Sequence, residues 1–564
     1  MAGSLAKSGI AIIVMVAVAQ CLPLWQPYWF NSHENGAYPV RVVEFEAALR
    51  QGDLYPRWAS DFYGGYGSPF FVFYAPLVFM AGAALSAVLG SPVLGLKLWI
   101  VIASILAGLG VRFAVATETR RDDAALLAAL LYLASAYRLT DIYIRGDIAE
   151  YTALAILPWA IGAYRRIARA IPLETAAPSA ALAVGAHAGL LYSHAIFGLW
   201  GTWLLGATCL VTTFELWQRR ALKHATALWT AFALSLAIGA AYLGPALIQK
   251  RYVHIAIATT DFYDPSNQLL AAERLLGTGQ FGLVPLVGAA LTLALVTLVV
   301  RRRGTTGMVW AASAALFAFL SIKQAEGFWM ARLPLTRFIQ FPWRLHGLAA
   351  LGAALAVGCS WAVLMKRGSW REPLGLMLGA TALLVTAPLC SVPEVMARGS
   401  FPTSASETRR GLHHTTADEY LPLAVAKPPT APARTLVTES PQLQVVDTFS
   451  RGTVHDLELV TTAPLRAELK LHMFPGWGVE TLQGPATAKL TTSKAGLVAV
   501  DLPRPGHYRL RVRFGTSPVR LAFGLFSLAA ALATWPLLQR LCRGRPRELV
   551  LKRASAPTEE RLAA

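Results

Sequence analysis

Long apolar runs separated by short polar loops recur from the start of the chain to position 392, and once more near its end. A helix that crosses a bilayer needs about 20 predominantly apolar residues. The stretches 8–24, 69–90, 94–118, 123–140, 150–167, 178–195, 197–215, 224–246, 281–300, 307–322, 345–365, 373–392 and 519–540 meet or approach that length. The pattern predicts a mostly α, polytopic transmembrane helical bundle of about 12–13 spans. Between 393 and 518 the period changes. After the extended stretch Pro428 to Pro432, apolar and polar residues alternate in Gln444–Val446, Asp456–Thr461, Arg466–His472, Leu497–Leu502 and Tyr508–Phe514, with Gly and Pro between them. Period-two alternation of this kind predicts a small β-sandwich. The domain plan is therefore a helical domain over 1–392 with a polar first loop at 25–68, a linker and β-domain over 393–518, a final transmembrane helix over 519–541 and a basic tail over 542–564.

Composition agrees with this division. Of the 564 residues, 55% are hydrophobic and only 15% charged, against about 25% charged in soluble domains. The mean hydropathy is +0.47. The net charge of +19 lies in short clusters between apolar runs: Arg120-Arg121, Arg165-Arg166-Arg169, Arg219-Arg220-Lys223, Arg301 to Arg303, Lys366-Arg367 and the tail from Arg540 to Arg553. Loop clusters of this kind follow the positive-inside rule rather than a nucleic-acid footprint, so no nucleic-acid partner is expected. From Arg120 onward every second loop is basic. This puts the basic loops on the cytoplasmic face and 141–149, 247–280, 323–344 and 393–518 on the other. Before Arg120 the alternation breaks unless one segment does not cross. The stretch 69–90, rich in Phe, Tyr and Pro, is read as re-entrant or interfacial. Ile10–Leu24 is read as a retained first span, because no small-residue cleavage site follows it. The five cysteines form no CxxC pair and predict neither a disulfide framework nor a zinc site.

Ionisable groups at membrane depth are costly and mark candidate sites. Four places concentrate them on the predicted outer side. The loop Ser32 to Gly36 holds His33 and Glu34. It is followed by an amphipathic stretch at 40–50 suited to a helix on the membrane surface, and then by Arg57. The run Asp141 to Glu150 brings Arg145, Asp147 and Glu150 together; Asp147 and Glu150 share a helical face, and with Arg145 they can hold a metal or a phosphate. The alternative is that Arg145 pairs with these acids and caps a helix. Arg344, in Gln340 to Arg344, is suited to bidentate phosphate binding or to interfacial anchoring. His194, in Ser193-His194, breaks two apolar runs. Walker A, HExxH and GxSxG motifs are absent from the sequence, so ATP-driven transport and zinc proteolysis find no support.

The ordered set of His33-Glu34, Ala48 to Trp58, Gly65 to Leu77, Tyr143 to Glu150, Ser193-His194 and Gln340 to Arg344 resembles the pattern of large bacterial membrane proteins described as 6-pyruvoyl-tetrahydropterin synthase-related. Phe474 to Trp477 with Gly506 to Tyr508 is similar to the outer β-domain of lipid-linked glycosyltransferase-like proteins. The chain shows no soluble pterin-synthase domain. The resemblance implies a GT-C-like membrane glycosyltransferase of the cell envelope, in the bacterial inner membrane with its β-domain outside. Such a protein takes sugar from a polyprenyl-phosphate donor and passes it to a glycan, lipid or protein acceptor. An acidic residue in the first outer loop would serve it. The family more often has Asp where this chain has Glu34, which keeps the carboxylate one methylene further out. The implied catalytic set is Glu34, Asp147 and Glu150, with His33, Arg57, Arg145, His194 and Arg344 binding substrate. A divalent cation, Mg or Mn, held by Asp147 and Glu150 is the expected cofactor. A transporter or flippase of lipid-linked glycan, or a non-catalytic envelope assembly protein, is the alternative.

Overall fold

The structure is a computed structural model that describes residues 2–26, 29–34, 36–275, 284–301, 305–331, 335–365, 418–429, 432–433, 435–438 and 440–543. The expected span 373–392, the cluster Lys366-Arg367, most of the linker and nearly all of the basic tail lie outside the described residues.

The described chain is mostly helical. Among the described residues, five helices are long and apolar enough to cross a bilayer: Pro92–Thr119, Ala195–Gln218, Leu222–Tyr252, Pro342–Leu364 and Pro518–Cys542. A sixth forms if Asp122–Leu133 and Ala136–Arg145, bent by 42° to each other, make one span. Ser8–Leu24, Leu77–Leu89, Leu286–Val299 and Thr305–Phe319 are apolar but shorter. Ile148–Ile167 and Ala177–Ser193 also belong to the bundle. The helices are labelled α1 (Ala2–Ala19), α2 (Ala37–Arg50), α3 (Leu77–Leu89), α4 (Pro92–Thr119), α5 (Asp122–Leu133), α6 (Ile148–Ile167), α7 (Ala177–Ser193), α8 (Ala195–Gln218), α9 (Leu222–Gln249), α10 (Val284–Arg301), α11 (Thr305–Phe319), α12 (His346–Leu364) and α13 (Pro518–Cys542).

Small residues set the packing. Helix α6 is buried along almost its whole length, because Gly110 and Gly162 bring it against α4: a Cβ on Gly162 would lie 2.6 Å from Phe113, and one on Gly110 2.7 Å from Trp159. The basic ends gather at one end of the bundle. Arg165 pairs with Glu118 at 2.6 Å and Glu215 at 3.0 Å, Arg169 pairs with Glu118, and Arg121 donates to the Ala362 carbonyl at 3.2 Å.

The segment 69–90 does not reach that end. At about 1.5 Å per residue, the 13 residues of α3 extend only about 20 Å. The helix follows α2, with Gly82 against Val42 and the Ser86 hydroxyl donating to Glu46 at 2.7 Å. It then turns at Gly90 (φ +70°) into a hairpin with the first turns of α4, where Gly95 meets Gly82 and Ser86. Helix α4 then runs to Arg120 at the basic end. This hairpin accounts for the broken alternation of charge before Arg120. Helix α2 departs from the expectation of a surface helix. Tyr38 through Phe45 are buried, Arg41 and Glu44 among them, because the face read as solvent-directed is covered by the loops around 61–74 and by the β-domain.

The β-domain has seven strands: β1 (Leu443–Arg451), β2 (Val454–Thr461), β3 (Leu465–His472), β4 (Trp477–Gln483), β5 (Lys489–Thr492), β6 (Leu497–Leu502) and β7 (Gly506–Phe514). They form antiparallel sheets of order β1-β2-β7-β4 and β3-β6-β5. Alternate residues of both sheets (Leu457, Leu459, Leu510 and Val512 from one, Leu469, Val498 and Val500 from the other) share one core, as the alternation required. All five expected strands are present. β4 and β5 are additional, and their half-exposed residues carry little alternation.

The β-domain is seated on the first loop of the helical domain. Trp58 packs edge-on to Trp477 at 5.3 Å and against Phe514 at 4.8 Å between ring centroids, and Trp58, Val72 and Phe73 belong to the β-domain core. Gly67 (φ +77°) lies so close that a Cβ there would fall 2.4 Å from Trp58. The His472 backbone N–H donates to the Tyr66 carbonyl at 2.8 Å, and its ring Nδ1 bonds the Gly67 carbonyl at 2.7 Å. Trp58→Ala is expected to cost about 3–5 kcal/mol and to be read as early loss of the β-domain in thermal unfolding. A cost under about 1 kcal/mol would show that this contact does not hold the two domains together.

Candidate functional site

At the end of the bundle opposite the basic clusters, a short turned segment, Asp141–Arg145, leads into α6. Gly146 (φ +67°) makes the connecting turn, and Asp147 caps the helix by accepting the Glu150 N–H at 3.1 Å. Carboxylates favour this position because the first helical N–H groups lack partners. The turn folds three acids around one cation. Arg145 pairs with Asp141 at 3.0 Å, Asp147 at 3.1 Å and Glu150 at 2.6 Å, and all four side chains are buried. Arg145 thus pairs with all three acids, and Asp147 caps the helix.

The same cluster forms one wall of a cavity of about 500 Å³. His33, Glu34, Arg145, Asp147, His194 and Arg344 all line it. His194 Nε2 lies 3.7 Å from Asp147. Arg344 approaches Asp147 at 4.0 Å and Glu150 at 3.6 Å, and its buried Nε has no hydrogen-bond partner. Glu150 stands directly behind this wall; one of its oxygens accepts from Tyr137, and Oε2 is buried without a hydrogen bond. The first loop is joined to the same turn through the backbone, with the N–H groups of His33 and Glu34 donating to the carbonyls of Ile144 and Arg145 at 2.9 and 3.0 Å. Glu34 is fixed by Arg41 at 3.2 Å. Arg41 is itself held among Tyr38, Phe70 and Tyr74. The rest of the wall is largely aromatic, including Phe73, Tyr242, Phe262, Phe341 and Trp343.

Of the eight sequence-predicted residues, six line the cavity and Glu150 backs it. Arg57 does not reach it: its guanidinium lies 3.6 Å over the Tyr55 ring and donates to the Ala241 carbonyl at 2.7 Å, which ties the first loop to α9. Sequence reasoning missed Tyr38, whose hydroxyl donates to Asp147 at 2.8 Å; its place inside an apparently amphipathic stretch gave no signal. It also missed Glu419 and Tyr420. These lie in a segment read as linker, yet they line the cavity, with Tyr420 stacked on Phe73 at 5.3 Å.

Charge in the site is strongly biased. Burial alone would raise the Asp147 carboxyl, but His194, Arg145 and Arg344 outweigh it and hold Asp147 below the usual carboxylate range. Burial, helped by the positive charge of Arg145, lowers the His33 ring below the usual histidine range. Asp147, Glu150 and His194 each offer a ligand atom within 4.8 Å of the others, and carboxylate oxygens suit a hard cation, although Glu150 Oε2 faces Arg344 Nε at 3.6 Å. His194 fits less well. Its Nδ1 accepts the Phe197 N–H at 3.2 Å, which leaves the proton on Nε2, the atom facing Asp147.

A buried acid–arginine cluster opening into an aromatic cavity at one end of a helical bundle defines a membrane protein with a polar site at bundle's edge. The chain belongs to the family of membrane proteins with the 6-pyruvoyl-tetrahydropterin synthase related domain, whose sequence model matches residues 71–393. This bears out the resemblance in the motifs. No curated protein matches the chain. Among solved structures it is similar to the Archaeoglobus fulgidus oligosaccharyltransferase in a crystal complex with zinc and sulfate, at 14% identity over 72% of this chain and 53% of that one, with a TM-score of 0.39. It is also similar to the archaeal oligosaccharyltransferase AglB from Archaeoglobus fulgidus in complex with an inhibitory peptide and a dolichol-phosphate, at 13% identity over 71% of this chain and 56% of that one, with a TM-score of 0.33. The chain spans a little over half the length of these proteins.

Removing Arg145 would strand three buried carboxylates. Arg145→Ala is expected to destabilise the protein by about 3–5 kcal/mol. Arg50→Ala, which removes a mostly exposed partner of Glu46, should cost no more than about 1 kcal/mol. Thermal unfolding of the two variants checks the contrast, and equal losses would contradict it.

Proposed function

We propose that the chain is an integral membrane glycosyltransferase. It transfers a sugar from a polyprenyl-phosphate donor to a glycan, lipid or protein acceptor, on the face of a bacterial inner membrane that carries the β-domain. The observation that carries this reading is the joining of Glu34, Asp147, His194, Arg145 and Arg344 around one aromatic-walled cavity. The basic clusters at the far end of the bundle support the orientation.

In the reaction, the acceptor oxygen attacks the anomeric carbon and the bond from that carbon to the phosphate oxygen breaks. The electron pair leaves with the phosphate, and the acceptor proton goes to a base. The leaving group needs charge stabilisation more than a proton. Arg344 and Arg145, which both line the cavity, supply fixed donors for it, and their carboxylate partners keep both side chains oriented. Glu34 is the base; Arg41 holds its carboxylate at the cavity wall. General-base help of this kind is worth roughly a hundredfold to ten-thousandfold. The aromatic wall suits the sugar and the first isoprene units of the tail. Asp147 and Glu150 would hold a divalent cation, Mg or Mn, which when bound adds Lewis-acid stabilisation of the phosphate.

Glu34→Gln, Asp147→Asn and Glu150→Gln are each expected to lower turnover at least about a hundredfold in a reconstituted sugar-transfer assay. Unchanged turnover in all three would overturn the assignment. Movement of lipid-linked glycan across the bilayer without transfer would favour a flippase.

A further inference from the structure

A second cavity, of about 320 Å³, lies between α2 and the β-domain, away from the first. Its size falls at the lower end of small-molecule sites, roughly 300–1,000 Å³. Three separate parts of the chain build it: Glu44 on α2, Trp58 and Asp61 from the first loop, and Ser450, His455 and Lys470 from β1, β2 and β3. Glu44 is buried, and one of its oxygens accepts the Asp61 N–H at 3.3 Å. His455 is only 6% exposed. Its Nδ1 bonds the Ser450 hydroxyl at 2.9 Å, whereas its Nε2 is enclosed and has no partner.

The chemistry of the walls narrows what the cavity can hold. Two carboxylates face one ammonium, which disfavours a phosphate or a carboxylate ligand. Among the described residues, the one group of three or more metal-ligating side chains that converges is Asp147, Glu150 and His194, so Glu44, Asp61 and His455 do not make a cation site. Burial pushes His455 down to about 4 against the pull of Asp456, leaving a neutral imidazole with one nitrogen committed to Ser450. What remains is a mixture of strong acceptors and donors beside an indole. Sugar hydroxyls, each one donor and two acceptors, match such a surface. We propose that this cavity binds a neutral sugar unit. The inference rests on the transferase reading for its role, which is to seat the acceptor glycan away from the point of transfer. Helix α2 links the two cavities: Glu44 lies about 9 Å along the axis from Tyr38, whose hydroxyl bonds Asp147.

The test is saturation-transfer NMR on the full-length protein in detergent, with free glucose, galactose, mannose and N-acetylglucosamine and their disaccharides as probes. At least one is expected to bind. His455→Phe, which fills the cavity, and Lys470→Gln, on a partly exposed strand residue, should each weaken binding about tenfold or more. Glu150→Gln, at the other cavity, should leave it unchanged. If His455→Phe unfolds early, Lys470→Gln decides. No binding by any probe, or equal binding by parent and Lys470→Gln, overturns the proposal. Binding that persists in a protein with no transferase activity would sink the transferase reading and keep the sugar site; intact transfer without binding would sink the sugar site alone.

Discussion

Arg145 is the interaction on which the arrangement depends. Three carboxylates packed around a single turn, out of water, repel one another and lose hydration. A guanidinium that reaches all three, at 2.6–3.1 Å, is what permits the turn to close on α6. The pairing is local in sequence, so the site is assembled by the chain that runs from Asp141 to Glu150 and then completed from elsewhere. Arg344 brings α12, His194 brings the α7–α8 junction, and Tyr38 brings α2. The carbonyls of Ile144 and Arg145 hold the first loop in place through the N–H groups of His33 and Glu34.

The β-domain belongs to the same construction. It shares a core with the first loop through Trp58 and with the segment after it through Val72 and Phe73, and the segment that leads into it places Glu419 and Tyr420 in the cavity wall. The side of the loop facing the bundle thus shapes one cavity, and the side facing the β-domain shapes the other. A movement of the β-domain would alter both.

Much of this was legible in the sequence, and the rest was hidden for identifiable reasons. Apolar runs locate helices well because lipid-facing and core-facing residues are both apolar, but they do not report length along one axis. The 69–90 run is long enough in apolar residues for a span, yet its helix α3 covers only 13 residues of it, in keeping with its reading as re-entrant or interfacial. The alternation of β2, β3, β6 and β7 exposed the sandwich; β4 and β5 bury too few side chains to show it. The ionisable residues that sit in short motifs, such as Arg145, Asp147, Glu150 and Arg344, could be found because charge is rare in such a chain. Tyr38 and Glu419 could not, since a tyrosine in an amphipathic stretch and a glutamate in a polar one are ordinary. Arg57 carried the right chemistry and points to α9, a matter of tertiary packing that no local pattern encodes.

The most direct measurement is a cryo-EM structure of the full chain with a polyprenyl phosphate bound. The account predicts phosphate density in the cavity of about 500 Å³, within hydrogen-bonding reach of Arg344 and on the side of Arg145 away from Asp141. Phosphate bound among the basic clusters at the opposite end of the bundle, with this cavity empty, would contradict it.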